Sequence, residues 1–250
     1  WVSTSADKYI IIGYLGIAAS GIYSVAYKIP SILTLLSNIF TSAWTISAIQ
    51  SVGDKDSGRF QSNVYKYFNA GNVLACSGLI MMSQFLGGIL FAKDFYIAWK
   101  CVPLLLVAYL FSGLAGFFAS SFRAVKYTKG LLSSTSVGAV TNIILNFYFV
   151  KQFGMMGAAF TTMVGFALTF YIRSFTVKKV VDISFDLKKD TFIYLLLVAQ
   201  AFVICLGVPL SYLIGAILFL LIMLLYRKEY YSLLSRIFSI LKRFLKLNRS

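Results

Sequence analysis

The sequence predicts an all-α, polytopic transmembrane bundle, and three observations predict it together. Hydrophobic residues make up 59% of the 250 and charged ones only 12%, far below the roughly one quarter of a soluble domain. The apolar residues form unbroken runs that reach the ~17–25 residues needed to cross a bilayer. The charges sit in short clusters between those runs. Because each run is continuous and does not alternate with period two, helices and not barrel strands are expected.

Taken in order, the first span ends at Gly16 and the second runs from Gly21 to Gln50, with a bend at Pro30, whose ring and missing N–H break helical bonding. Four more follow at Phe68–Ala92, Ile97–Ser120, Leu131–Val150 and Met155–Ile172. The last run, Thr191–Tyr226, is divided by Gly207-Val208-Pro209 into a helical hairpin, for eight spans in all. The chain opens on Trp1 inside an apolar segment, with no signal peptide in view, and reads as the C-terminal part of a longer protein.

Charge placement sets the expected orientation. Eighteen of the 23 Lys and Arg residues fall in the connections after the second, fourth and sixth spans and in the tail, against three on the opposite side. By the positive-inside rule the tail is cytoplasmic. The net charge of +15 flanks spans instead of forming one basic domain, which argues against nucleic acid as a partner. Cys76, Cys101 and Cys205 lie far apart in or beside apolar runs and carry no metal or redox spacing. With no histidine, eight carboxylates and no glycine-rich nucleotide loop, neither enzymatic chemistry nor a cofactor is expected.

Two cations break the pattern, Lys8 and Lys28. Lys8 lies eight residues below the outer end of the first span, about 12 Å, and Lys28 enters the second span to about the same depth. A charge there costs ~3 kcal/mol or more unless it meets water or a partner. The two lysines either snorkel or pair with the adjacent Asp7, or they line a wet cationic cavity that receives an anionic group. Tyr23 and Tyr27, one turn apart, approach the Lys28 face as stacking surfaces for sugar or as ordinary packing. Asn142 and Asn146, four residues apart, share a helix face and serve as interhelical hydrogen-bond donors or as sugar contacts; Gln84 is a weaker case of the same kind. "FGMMGAA", Phe153–Ala159, reads as a tight outer turn with small residues for close helix approach, and Gly87-Gly88 as a packing site or a hinge. The tail from Leu234 to Arg249 alternates apolar and basic residues at helical spacing, as an amphipathic helix on the inner leaflet would.

These residues carry a resemblance. "SADKYIIIGYLGIAASGIYSVAYKIPSIL" is similar to the start of the second half of bacterial polysaccharide-biosynthesis flippases, where a D-[RK]-x-x-[IL]-G element precedes G-[IV]-Y-S-x-A-Y-K. "TNIILNFYFVKQFGMMGAAFTTMVGFAL" resembles the same family's asparagine-bearing helix and following turn, and "FRAVKYTKG" its basic loop. A proline usual after the second-span tryptophan is absent at Trp44-Thr45-Ile46. The resemblance to this branch of the multidrug/oligosaccharidyl-lipid/polysaccharide exporter superfamily implies a two-lobed transporter. In it, residues 1–178 would be the second lobe, 179–190 a cytoplasmic connection, 191–226 a C-terminal hairpin and 227–250 a basic tail. It further implies alternating access for a polyprenyl-diphosphate-linked oligosaccharide at the bacterial inner membrane, as in O-antigen assembly, with a polysaccharide polymerase and assembly proteins as partners. Its cavity cations correspond to Lys8 and Lys28, with Asp7 as acidic neighbour. The rival readings are a drug or cation-coupled exporter of the same superfamily, a scaffold in an assembly complex, and a membrane transferase, for which Asp94 is the weak candidate base.

Overall fold

The computed structural model describes residues 2–51, 56–207, 209–232 and 235, and among them all regular structure is helical. The order is α1 (Val2–Leu15), α2 (Ile17–Ala26), α3 (Lys28–Gln50), α4 (Ser57–Leu90), a 3₁₀ helix (Lys93–Cys101), α5 (Val102–Ala124), α6 (Thr128–Val177), α7 (Leu187–Leu206) and α8 (Pro209–Leu225). Five of these rods are long and apolar enough to cross a membrane, Lys28–Gln50, Ser57–Leu90, Lys93–Ala124, Thr128–Val177 and Leu187–Leu206, and Ile17–Ala26 and Leu210–Leu225 are shorter apolar helices. The expected amphipathic tail, Leu234–Arg249, lies outside the described residues apart from Ser235.

The breaks fall where backbone chemistry demands them. Gly16, at φ 85°, separates α1 from α2. The second apolar run is interrupted at Tyr27, between α2 and α3. Pro30 cannot donate to the carbonyl four residues back, Ala26, so the break precedes the proline instead of sitting on it. Gly154, at φ 61° and ψ −141°, folds α6 back on itself, making a hairpin of two arms, 128–153 and 155–177. The arms approach closely: a Cβ on Gly157 would strike the Phe149 carbonyl, and one on Gly165 would come within 2.9 Å of the Asn142 side chain. This is the close backbone approach expected of "FGMMGAA". Gly87 belongs to packing too, since a Cβ there would meet Trp99 at 3.0 Å.

α5 is the central rod. Its Leu105, Val107, Leu114, Phe117, Phe118 and Phe122 are completely buried, and α3, α4, α6 and α7 all pack on it. Phe117 stacks on Trp44 of α3 with centroids 4.8 Å apart and Phe118 on Tyr65 of α4 at 5.1 Å. Polar pairs tie the helices at intervals, among them Ser37 Oγ to Asn72 Oδ1 at 2.7 Å and Ser121 Oγ to Gln61 Oε1 at 2.9 Å. In hydrocarbon such bonds contribute because no water competes for them. α7 and α8 pack against each other, and Gly207 at the end of α7 is left-handed at φ 66°. Gln200 of α7 holds the pair together, accepting from Ser77 of α4 at 2.6 Å and donating to the Gly215 carbonyl of α8 at 3.2 Å.

A second tie closes one end of the α4–α7–α8 contact. The Asp190 carboxylate accepts from Tyr226 at 2.6 Å and from Tyr65 at 3.2 Å. Tyr194 donates to Asn69 Oδ1 at 2.8 Å, and Asn69 Nδ2 donates to Tyr226 at 2.8 Å. The Tyr65 and Tyr194 hydroxyls lie 3.4 Å apart, an alternative bond open to whichever of them gives up its other acceptor. Lys189 stands beside it, 3.0 Å from Glu229 and over the Tyr226 ring.

Candidate functional site

A polar centre is built where α1 meets the two arms of α6. Leu15, the last residue of α1, lies at the hairpin turn, 3.8 Å from where a Cβ on Gly154 would stand. Eight residues back along α1 is Asp7, eight back along the first arm is Asn146, and eight forward along the second is Thr162. Each lies about 12 Å from the turn at 1.5 Å per residue, so the helix geometry brings all three to one level.

Asp7 is fully buried. Its Oδ1 accepts from Asn146 Nδ2 at 2.6 Å and its Oδ2 from Thr162 Oγ1 at 2.6 Å. Thr161 Oγ1 lies 2.8 Å from Asn146 Oδ1. Both threonine hydroxyls also lie 2.9 Å from the Ala158 carbonyl. A hydroxyl has one proton, so Thr162 donates either to Asp7 or to its own helix. That choice suits both forms of the carboxyl. An ionised Asp7 takes the Thr162 proton; a protonated or cation-bound Asp7 leaves it to Ala158.

The centre also contains polar atoms without partners. Tyr23 Oη, Tyr27 Oη and both side-chain heteroatoms of Asn142 are buried and make no hydrogen bond, although Asn142 and Tyr27 lie beside Asp7. Tyr23 and Tyr27 meet edge to face with centroids 5.2 Å apart, and Tyr27 meets Tyr109 in the same way at 6.0 Å. A buried polar group left unpaired costs about 1–3 kcal/mol, so these atoms make the centre the place where a water or another polar group would be held most readily.

Of the residues singled out in the sequence, Asp7, Tyr23, Tyr27, Asn142 and Asn146 are brought together. Lys8 is half-buried and Lys28 exposed. Among the described residues, Asp7 forms no ion pair with either lysine; its partners are the amide and the hydroxyl. Asp94 is exposed on the 3₁₀ helix. Thr161 and Thr162 were missed by sequence reasoning, although the hairpin centred on Gly154 pairs them with Asn146 by simple counting. Among the described residues no three His, Cys, Asp or Glu side chains cluster. The one carboxylate with amide and hydroxyl oxygens around it fits a proton or a monovalent hard cation better than a transition metal.

Two cavities open beside the centre. One of about 440 Å³ runs between α3, α5 and both arms of α6, from Asn142 and Thr162 at one end to Arg123 and Arg173 at the other. A second of about 310 Å³ is bounded by Tyr27, Ser31 and Tyr109, and the two share Asn38.

No protein-family model matches the chain. Over 183 residues it is 24% identical to the Haloferax volcanii protein named "Probable low-salt glycan biosynthesis flippase Agl15", which covers 72% of this chain and 39% of that protein. Its fold matches that of "Lipid II flippase MurJ, inward closed conformation" with a TM-score of 0.60 at 19% identity, over 91% of this chain and 52% of that one. The chain thus spans about two-fifths of the curated relative and about half of the solved structure. It is a multi-pass membrane protein, all-helical among the described residues, similar in sequence to a protein named as a probable glycan biosynthesis flippase and in fold to one named as a lipid II flippase. Both relatives are named as flippases.

Proposed function

We propose that this chain is the second lobe of a flippase that carries a polyprenyl-diphosphate-linked oligosaccharide to the outer leaflet of a prokaryotic cytoplasmic membrane. The sequence resemblance favours a bacterial inner membrane, although the named sequence relative is archaeal. The observation that carries the reading is the agreement of two independent likenesses, one in sequence over most of the chain and one in fold over nearly all of it, both to flippases. The polar centre supplies the physics. A diphosphate-linked glycan needs a wet, hydrogen-bonding path through hydrocarbon, and the cavity of about 440 Å³ beside the centre has Asn38, Ser112, Thr135, Asn142 and Thr162 in its lining.

In this reading Asp7 is the coupling residue. Proton or cation binding changes the Thr162 hydrogen bond and with it the contact of α1 with the α6 hairpin, the kind of helix contact on which one lobe rocks against another. Tyr23, Tyr27 and Asn142 border the cavities as contacts for sugar or water. Exposed Lys28 and half-buried Lys8 are mobile point charges for the diphosphate. The excess of cations in the tail and the alternate connections supports a cytoplasmic C-terminus.

A second reading, a cation-coupled exporter of other amphiphiles, is favoured by the same buried carboxylate with its ring of oxygens. Proteoliposomes containing the full-length protein separate the two. Translocation of a fluorescent polyprenyl-diphosphate oligosaccharide supports the first reading. Cation-driven efflux of a hydrophobic drug without glycan-lipid translocation refutes it in favour of the second.

A further inference from the structure

The inner end of the larger cavity contains a charge that the transport reading does not use. Arg173 counts in the sequence with the cytoplasmic loop cations, yet its side chain turns inward and the residue is only 9% exposed. Its Nε donates to Ser134 Oγ at 2.9 Å, Nη1 to the Ala115 carbonyl at 2.8 Å and Nη2 to Thr135 Oγ1 at 2.8 Å. All three acceptors are neutral. A guanidinium has five N–H donors, so two remain for another group. The ion pairs among the described residues belong to Glu229, and no carboxylate balances Arg173. An uncompensated buried charge is costly.

The surroundings point to what would balance it. Arg173 and Arg123 both line the cavity of about 440 Å³, together with the hydroxyls of Ser112 and Thr135 and the amide of Asn38. Two guanidinium groups and neutral donors on one cavity, without an acid in its lining, are suited to a multivalent oxyanion, which takes arginine forks in bidentate fashion. Arg173 lies nineteen residues past the Gly154 turn, about 28 Å along the arm, close to the ~30 Å thickness of the hydrocarbon core. The site is therefore at the headgroup level of the leaflet opposite the turn, but faces into the lobe and not toward bulk lipid.

We infer that Arg173 and Arg123 form a binding site for a phosphate-class oxyanion at this end of the lobe, reached through the cavity. The ligand is a free phosphate or diphosphate, or the phosphate of a lipid-linked carrier held at headgroup level. The site itself stands on the cavity and does not depend on the protein being a flippase.

The test uses the full-length protein in detergent, with Arg123→Gln as the main variant because Arg123 is exposed, and with Arg173→Lys and Arg173→Gln beside it. Binding of inorganic pyrophosphate is followed by isothermal titration at low salt, and binding of polyprenyl phosphate in mixed micelles by the shift in melting temperature against a phosphatidylethanolamine control. Saturable binding of either ligand that R123Q weakens about tenfold or more, at unchanged melting temperature of the free protein, supports the site. Binding of both identifies a general oxyanion site, and binding of polyprenyl phosphate alone a carrier site. Arg173→Lys keeps the charge and loses the fork, so it retains part of the binding where Arg173→Gln retains none. Absence of binding to both ligands, or binding that R123Q leaves at the wild-type value, overturns the inference and leaves Arg173 as a clip between α5 and the α6 hairpin. Because no transport is measured, failure here is distinct from failure of glycan-lipid translocation in proteoliposomes.

Discussion

Asp7 and Asp190 are both buried in this lobe, and each accepts two hydrogen bonds, at 2.6 and 2.6 Å for Asp7 and at 2.6 and 3.2 Å for Asp190, but their surroundings differ. Around Asp190 every polar atom of the ring has a partner: Tyr226, Tyr65, Tyr194 and Asn69 close on one another, with the Lys189 ammonium nearby. Around Asp7 the ring is open. Asn146 and Thr162 hold the carboxylate at 2.6 Å each, whereas Tyr23, Tyr27 and Asn142 stand next to it without a hydrogen bond of that length. A saturated network fixes helices in one arrangement, whereas one with polar atoms left over can exchange its bonds. Room alone does not separate them, since a cavity of about 410 Å³ opens on the Asp190 ring and one of about 440 Å³ beside the Asp7 centre. Under the proposed function the difference would distinguish a structural acid from a working one, although composition and depth alone would treat them alike.

The comparison can be broken most forcefully at Tyr226. Its hydroxyl both donates to Asp190 and accepts from Asn69, so Tyr226→Phe removes two buried bonds and leaves their partners unmet. A loss of about 2–3 kcal/mol is expected, read as a lower melting temperature in detergent, and transport should fall only in proportion to folded protein. Gly154→Ala comes next. At φ 61° any side chain is strained, and about 1–2 kcal/mol should be lost as the α6 hairpin opens, visible as earlier unfolding and faster proteolysis at the turn. Tyr27→Phe sharpens the contrast with Tyr226→Phe. Its hydroxyl has no partner to lose, so stability should stay within about 0.5 kcal/mol of wild type while the translocation rate drops. A destabilisation equal to that of Tyr226→Phe would erase the distinction.

The smallest effect concerns Glu229, just beyond α8. Burial alone would raise its carboxyl, but the hydrogen bond from Lys189 and the charges of Lys189 and Lys66 outweigh it and hold the group below the ordinary glutamate range. A carboxyl depressed on folding stabilises above its unfolded value near 4.5 and loses that contribution as pH falls through the lower folded value. The melting-temperature gap between wild type and Glu229→Gln should therefore be present at pH 7 and shrink on acidification below the unfolded value. The pair is partly solvent-screened, and the gap should be small.

Much of this architecture was legible in the sequence because membrane helices announce themselves by continuous apolarity and their breaks by glycine and proline. Gly154 divides a hairpin as read, Gly207 stands at the end of α7, and Pro30 breaks its helix one turn earlier than its own position. The candidate site was legible only in part. Asn142 and Asn146 share a face by their spacing alone. The partner of Asp7, however, depends on which side of α1 meets the α6 hairpin, and that is a property of packing. The charge rule suggested a lysine, while the structure uses an amide and a hydroxyl, which stabilise the carboxylate without a second buried charge. Arg173 was hidden for a different reason: a cation at a helix end counts toward orientation whichever way its side chain turns.

The open centre at Asp7 is tested most directly by the rate at which full-length protein in proteoliposomes moves a polyprenyl-diphosphate oligosaccharide, measured for wild type and Asp7→Asn at equal folded amounts. The asparagine can keep the Asn146 bond through its oxygen and donate to Thr162, which then turns to Ala158, so the fold should survive. A fall of a hundredfold or more, roughly 2.7 kcal/mol at ~1.36 kcal/mol per tenfold, with unchanged melting temperature is the predicted result. Transport at the wild-type rate would contradict it and reduce Asp7 to the same structural standing as Asp190.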